Sequence, residues 1–367
     1  MLPANVHHAD PAPGSLPVLI VDDSAVARAV LTRVVDQSGD FHVVGSVGSV
    51  PRALDFLAKN RVSYVLLDIM MPGTDGLTAL PDMIAAAHDA KVVMVSGSVD
   101  AGAACVVQAL ALGAVDTMLK PAFGSSTKSF GVDLIEKMRR IEAGVRTPGV
   151  VRHPVAAEGR VVAPPLNPPI KMRKADFDVI AIGASTGGIH ALSKLLRAVP
   201  VDRDVPILIT QHLPTSFMPY FAAQIAVLSG RPCDVAVDRM QIRAGRIIVA
   251  PGDKHLRCRR DTRGNPIVLL TGETVASGCL PSVDPMLASV AATYGDRTLA
   301  VVLSGMGRDG AQGVVAVADA GGTIVVQDEA SSVVWGMPGA AMATGVAAAM
   351  LEPAAIGQMI ASGCRAS

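Results

Sequence analysis

Short runs of consecutive apolar residues alternate along this chain with longer stretches whose apolar side chains recur every three or four positions. The first kind reads as strands buried on both faces, the second as amphipathic helices. In the first third the runs at 17–21, 42–46, 63–68, 91–96 and 115–119 predict strands, and 25–36, 51–59, 77–87, 101–112 and 132–142 predict helices. Five such repeats predict a doubly wound parallel sheet. The pattern stops between 146 and 174, where Pro148, Pro154, Pro164, Pro165, Pro168 and Pro169 forbid a helix and favour a semi-rigid tether. It resumes with strands expected at 177–182, 205–211, 234–237, 246–250, 298–303 and 322–327. A hairpin is expected from 255–259 and 266–270, turning at 260–265. The whole reads as α/β, two doubly wound parallel-sheet domains joined by a Pro-rich linker. A disordered leader (1–16) precedes a first domain (17–143), the linker (144–174) and a second domain (175–367).

Composition narrows the function classes. Half of the 367 residues are hydrophobic but only 3% are aromatic, so the cores must be aliphatic, as suits covered parallel sheets. Basic and acidic residues balance at 32 each, which gives no electrostatic footprint for nucleic acid or a membrane surface. No apolar run approaches the roughly 18 to 20 residues of a membrane span, so a cytoplasmic protein without membrane insertion is expected. Five cysteines without C-x-x-C spacing read as reduced thiols rather than a metal cluster.

Candidate chemistry gathers at strand ends, where open α/β sheets bind ligands. In the first domain Asp22 and Asp23 end the first strand, Asp68 the third, Ser96 the fourth and Lys120 the fifth. Three carboxylates at one edge repel each other unless a hard cation lies among them, and carboxylates with waters suit Mg²⁺. The economical chemistry is phosphorylation of one carboxylate. These residues, in Val21-Asp22-Asp23-Ser24, Leu67-Asp68-Ile69-Met70-Met71-Pro72-Gly73-Thr74-Asp75-Gly76, Val95-Ser96-Gly97 and Leu119-Lys120-Pro121, resemble the receiver domain of two-component response regulators. The resemblance implies a flavodoxin-like fold with Asp68 as phosphoacceptor. Asp22 and Asp23, with Asp68, would hold Mg²⁺, and Ser96 and Lys120 would contact the phosphoryl group. Where many receivers carry an aromatic switch residue, this chain has 115–118 without one.

In the second domain Asp178-Val179-Ile180-Ala181-Ile182-Gly183-Ala184-Ser185-Thr186-Gly187-Gly188 reads as a buried strand, a tight turn and a helix start. Ser185 therefore sits beside free N–H groups at a helix N-terminus, where a hydroxyl can be a nucleophile; a turn that cradles phosphate or packs helix on sheet is the other reading. The pattern is not the G-x-S-x-G elbow. His212 ends the next strand and is placed to act as base. Asp309 or Asp284 would orient it, with Asp309 better placed after a fully apolar strand and Asp284 a natural first-turn acid. Asp309 could equally cap its own helix. His255 is a rival base within the hairpin, and His190 is turned away from the serine's face.

These segments, with Gln211-His212-Leu213-Pro214, Ala250-Pro251-Gly252-Asp253-Lys254-His255, Pro281-Ser282-Val283-Asp284 and Gly305-Met306-Gly307-Arg308-Asp309-Gly310, are similar to the chemotaxis protein-glutamate methylesterase family over about 175 to 365. The similarity implies a Rossmann-like catalytic domain with a Ser185, His212, Asp309 triad, and Thr186 and the Met306 N–H positioning the oxyanion. It also implies glutamate γ-methyl esters of chemoreceptors as substrate and the chemotaxis histidine kinase as phosphodonor. The unphosphorylated receiver would restrain a monomeric enzyme without a cofactor in its catalytic domain. Deamidation of receptor glutamines is an accompanying activity, and a nucleotide-binding second domain is the non-enzymatic alternative. The chain departs from the family at Leu280, where relatives carry an Arg, a change that matters for affinity if the Arg touches substrate.

Overall fold

The computed structural model describes residues 14–97, 102–120, 127–145, 172–174 and 177–366. The chain forms two compact units, Met1–Arg139 and Arg140–Ser367. No helix among the described residues is long and apolar enough to cross a membrane.

In the first unit strands β1 (Leu16–Val21), β2 (Phe41–Val47), β3 (Tyr64–Asp68), β4 (Lys91–Ser96) and β5 (Asp116–Leu119) alternate with helices. These are α1 (Ala25–Asp36), α2 (Val50–Leu57), α3 (Gly76–Ala87), α4 (Gly102–Leu112) and α5 (Thr127–Val145). The strands lie parallel in the order β2-β1-β3-β4-β5, the flavodoxin-like winding. Val18 to Val21 and Tyr64 to Leu67 are fully buried, as strands covered on both faces require. Polar caps start the helices: the Ser24 hydroxyl accepts from the Ala27 N–H, and the Asp75 carboxylate from the Thr78 N–H.

The second unit begins with β6 (Met172–Lys174), then β7 (Val179–Ala184), α6 (Gly188–Arg197), β8 (Ile207–Gln211), α7 (Met218–Ser229), β9 (Cys233–Val235) and β10 (Ile247–Val249). A hairpin of β11 (His255–Arg260) and β12 (Pro266–Thr271) precedes α8 (Val283–Tyr294), β13 (Thr298–Val302), α9 (Ala311–Asp319) and β14 (Thr323–Gln327). The unit closes with α10 (Gly336–Met342), β15 (Ala349–Leu351), α11 (Pro353–Ser362) and β16 (Cys364–Ala366). Seven parallel strands run β15-β14-β13-β7-β8-β10-β9, so the winding reverses between β7 and β13. A crevice opens at the carboxyl ends of strands on either side of such a reversal. Beneath it, Ala181, Ala300 and Val302 pack against Val283, Met286, Leu287 and Val290 of α8 in one core. Fully burying aliphatic side chains of this size contributes about 1.5–3 kcal/mol each.

Four expectations change. The leader does not reach residue 16, because Leu16 already pairs with Phe41 and the Ser15 hydroxyl bonds His42 Nδ1. The stretch expected as linker is built at both ends: α5 extends through Val145, and β6 pairs antiparallel with β16. Residues 146–171 lie outside the described residues, as do His7 and His8. The edge strand β15 went unread, and its three-residue length explains why periodicity missed it. His190, expected at the surface as well as turned from Ser185, is half-buried on α6.

Candidate active site

Ser185 follows β7 and His212 follows β8. The parallel register pairs Gly183 with Thr210 and Ala184 with Gln211. One further step sets Ser185 beside His212, on strands about 4.8 Å apart. Three backbone or carboxamide bonds hold this junction. The His212 N–H donates to the Ala184 carbonyl (3.1 Å), the Ser185 N–H to the Ser304 carbonyl (3.0 Å), and Gln211 Nε2 to the Ser185 carbonyl (2.9 Å). Ser304 is completely buried, and its hydroxyl donates to the Thr186 carbonyl at 2.8 Å. The turn is thus pinned to β13 across the reversal.

Close approach there depends on glycine. A Cβ on Gly305 would lie 2.8 Å from the Ser185 Cβ and 2.3 Å from the Met337 sulfur. Gly187 adopts φ 75°, open to glycine and strained for most residues. The other glycines of the turn are closely packed as well. A Cβ on Gly183 would meet Val283 at 2.4 Å, and one on Gly187 would meet Val333 at 2.5 Å. The turn packs helix and loop against sheet and leaves the serine half-buried at the crevice.

Asp309 comes from the loop after β13. Its carboxylate is 1% exposed and accepts from His212 Nε2 at 2.8 Å. An ionised carboxylate only accepts, so the imidazole proton lies on Nε2 and the lone pair on Nδ1. Asp309 also accepts from the Ser282 hydroxyl (2.6 Å) and from the N–H groups of Val283 (2.8 Å), Gly310 (3.1 Å) and Asp284 (3.4 Å). Burial pushes its pKa up, but the bonds from His212, Ser282 and Val283 outweigh that and bring it down to about 2. The expected helix cap is half right, with the wrong helix. Asp309 caps the first turn of α8, while Gly310 occupies the cap position of α9.

The rivals have other partners. Asp284 accepts from the Gly313 N–H at 2.7 Å, tying α8 to α9, and burial raises its pKa. His255 is completely buried, with Nδ1 accepting from the Ser282 N–H (2.9 Å) and Nε2 facing the Glu273 carbonyl (2.8 Å). It is a structural histidine that holds Ser282 under Asp309. Ser282, Gln211 and Ser304 had no assigned role in the sequence. The Ser282 hydroxyl donates to Asp309. Thr186 and Met306 are half-buried. Among the described residues neither of their N–H groups has an acceptor, and no hydrogen bond joins the Ser185 hydroxyl to the imidazole. Leu280 is 49% exposed beside this site in sequence.

In the first unit Lys120 Nζ lies 2.7 Å from Asp22 Oδ2 and 2.9 Å from Asp68 Oδ2. Asp22, Asp23 and Asp68 each offer an oxygen within 4.8 Å of the others. Asp68 Oδ1 is buried without a hydrogen-bond partner, as suits a hard cation among three carboxylates. Burial raises the Asp68 pKa, with Lys120 opposing and Asp22 adding to the rise. Burial lowers that of Lys120, but its bonds to Asp22 and Asp68 outweigh this and raise it. Ser96 ends β4, 2% exposed, and its carbonyl accepts from the Lys120 N–H. A Cβ on Gly76 would lie 1.9 Å from the Asp68 carbonyl oxygen, so the loop after β3 closes only over glycine.

The response regulator receiver domain family matches residues 18–126, and the CheB methylesterase family matches 180–360. A protein-glutamate methylesterase/protein-glutamine glutaminase of Paramagnetospirillum magneticum is 41% identical over 93% of this chain and 94% of its own length. One from Azospirillum brasilense is 39% identical over 98% and 95%. The CheB methylesterase catalytic domain of Thermotoga maritima is 30% identical, covering 51% of this chain and 98% of its own, at a TM-score of 0.49. The chain therefore belongs to the protein-glutamate methylesterase/protein-glutamine glutaminase family of receiver-bearing hydrolases.

Proposed function

We propose that this protein hydrolyses glutamate γ-methyl esters on chemoreceptors with Ser185 as nucleophile, His212 as base and Asp309 as its orienter, under control of phosphorylation at Asp68. The observation that carries the reading is the His212–Asp309 bond, which leaves an imidazole lone pair on the nitrogen away from Asp309, one register step from Ser185. Rotation about the Ser185 Cα–Cβ bond brings the hydroxyl toward that lone pair; catalytic hydrogen bonds are often long until substrate is bound. Ser185 Oγ attacks the ester carbonyl while His212 Nδ1 takes its proton. The N–H groups of Thr186 and Met306 receive the oxyanion. The imidazolium, held by Asp309, then protonates the departing methoxide, and water cleaves the acyl-enzyme by the same path. A glutamine side chain presents the same carbonyl with ammonia as leaving group, so deamidation accompanies ester hydrolysis.

In the receiver, Asp22, Asp23 and Asp68 would hold Mg²⁺, which when bound neutralises phosphoryl charge. Asp68 is the acceptor, Lys120 pairs with the transferred group's oxygens, and Ser96 bonds it. The phosphodonor is the chemotaxis histidine kinase. The test is methanol release from methylated receptor, with and without a small-molecule phosphodonor, alongside labelling by a fluorophosphonate. The expected result is a label lost in Ser185→Ala and a rate that rises with phosphodonor. Equal labelling of Ser185→Ala, or methanol release that survives it, would remove the serine mechanism.

A further inference from the structure

The catalytic histidine and aspartate have a third neighbour that the reaction does not use. Cys279 lies in the loop between β12 and α8, and its sulfur, an imidazole nitrogen of His212 and a carboxylate oxygen of Asp309 are all within 4.8 Å of one another. The thiol is free and half-buried, and most of the loop from Gly272 to Leu280 is open to solvent. Its hold on the protein is weak: the sulfur is 3.8 Å from the Ser277 carbonyl, and the Cys279 N–H reaches the Ser277 hydroxyl at 3.3 Å. A thiol, an imidazole and a carboxylate together are the donor set of zinc.

We propose that His212, Cys279 and Asp309 form an inhibitory binding site for Zn²⁺, which switches the hydrolase off by occupying its catalytic base. The proposal rests on the role given to His212 above. Zinc bonds of about 2.0–2.3 Å in a tetrahedral site set ligand atoms roughly 3.3–3.7 Å apart. The thiol therefore closes in by about 1.5 Å at most, and His212 and Asp309 part by under about an ångström from 2.8 Å. Water takes the fourth position. Asp309 Oδ2 keeps its bond from the Val283 N–H and exchanges the His212 proton for the metal. The thiolate and the carboxylate together cancel the charge of the ion.

The proton balance explains the inhibition. In the free site Nε2 carries the imidazole proton and Nδ1 the lone pair. Zinc binds through Nε2, so the proton moves to Nδ1, the nitrogen that must accept from Ser185. The thiol proton leaves to solvent, one per ion bound, because a coordinating sulfur is a thiolate. The metal-bound enzyme keeps its nucleophile but has nothing to deprotonate it.

The experiment uses full-length protein with Mg²⁺ in excess, so that the receiver carboxylates are occupied, and compares it with Cys279→Ser. Each is titrated with buffered Zn²⁺, and methanol release is normalised to its own zinc-free rate. Inhibition reversed by chelator is expected in the native protein, at a Zn²⁺ concentration more than about tenfold below that needed for Cys279→Ser; even an outer-shell partner's loss costs that much. In parallel Co²⁺ replaces Zn²⁺, and the near-ultraviolet thiolate-to-cobalt charge-transfer band is recorded. It should appear in the native protein and in Ser185→Ala and vanish in Cys279→Ser. A missing band, a band that persists in Cys279→Ser, or equal zinc sensitivity of the two proteins would overturn the site. The band in inactive Ser185→Ala reads the metal site apart from hydrolysis, so failure of the esterase reading leaves this test intact.

Discussion

At the scale of single residues, the site is a chain of hydrogen bonds that runs from His212 to Asp309 and on to Ser282 and His255. On the proposed mechanism the loss of the nucleophile is near total: Ser185→Ala is expected to lower kcat by on the order of 10⁶ with the fold intact. Asp309→Asn keeps the shape but lets the imidazole take the wrong tautomer, a loss of about 10⁴ in kcat. Ser282→Ala removes a hydrogen bond onto a buried carboxylate, worth about 1.5–3 kcal/mol, and should lower both kcat and melting temperature. Unchanged values for both would deny Ser282 any part in holding Asp309. The acid limb of the pH profile has its own sign. Asp309 titrates below its unfolded value, so its contribution is complete above about pH 4 and is lost as pH falls toward about 2. A pH profile of kcat in native and Ser282→Ala protein checks this, because losing the Ser282 bond should move the Asp309 limb to higher pH.

At the scale of elements, the tips of β7, β8 and β13 do the placing. Gly305→Ala is the sharpest probe of this, because the new methyl group would press on both Ser185 and the Met337 sulfur. Overpacking of this kind costs about 1–3 kcal/mol, and the displaced serine should lose activity out of proportion to the drop in melting temperature. An enzyme with full activity would mean that the turn has more room than the structure gives it. Much of this was open to reading from the chain: apolar runs marked every strand of the two parallel sheets except β15, and Ser185, His212 and Asp309 each stand one to seven residues past a strand end. The antiparallel hairpin at β11 and β12 was equally plain, since Asp261 and Gly264 mark its turn. Other features were hidden for physical reasons. Strands β6 and β16 are three residues each and pair across most of the second unit, so no local pattern announces them. The role of Ser282 was not legible, because the direction of its hydroxyl depends on a partner 27 residues away. Cys279 read as a reduced thiol outside any metal cluster for the same reason, since spacing cannot bring 212, 279 and 309 together.

At the scale of the molecule, two sheets divide the labour between phosphoryl chemistry and hydrolysis. Asp68→Asn removes the acceptor carboxylate, so a phosphodonor should no longer raise methanol release; a response as large as in the native protein would place control elsewhere. Because burial raises the Asp68 pKa, labelling by a small-molecule donor should also weaken as pH falls toward the carboxylate range, sooner than for an exposed aspartate. The capping of α8 by Asp309 has a consequence for descent. On the proposed mechanism the same carboxylate serves the chemistry and the foundation of a core helix, whereas the Ser185 hydroxyl serves the chemistry alone. In a descendant that had given up hydrolysis, the serine is free to drift at once, and the aspartate would persist as a relic of the lost trade.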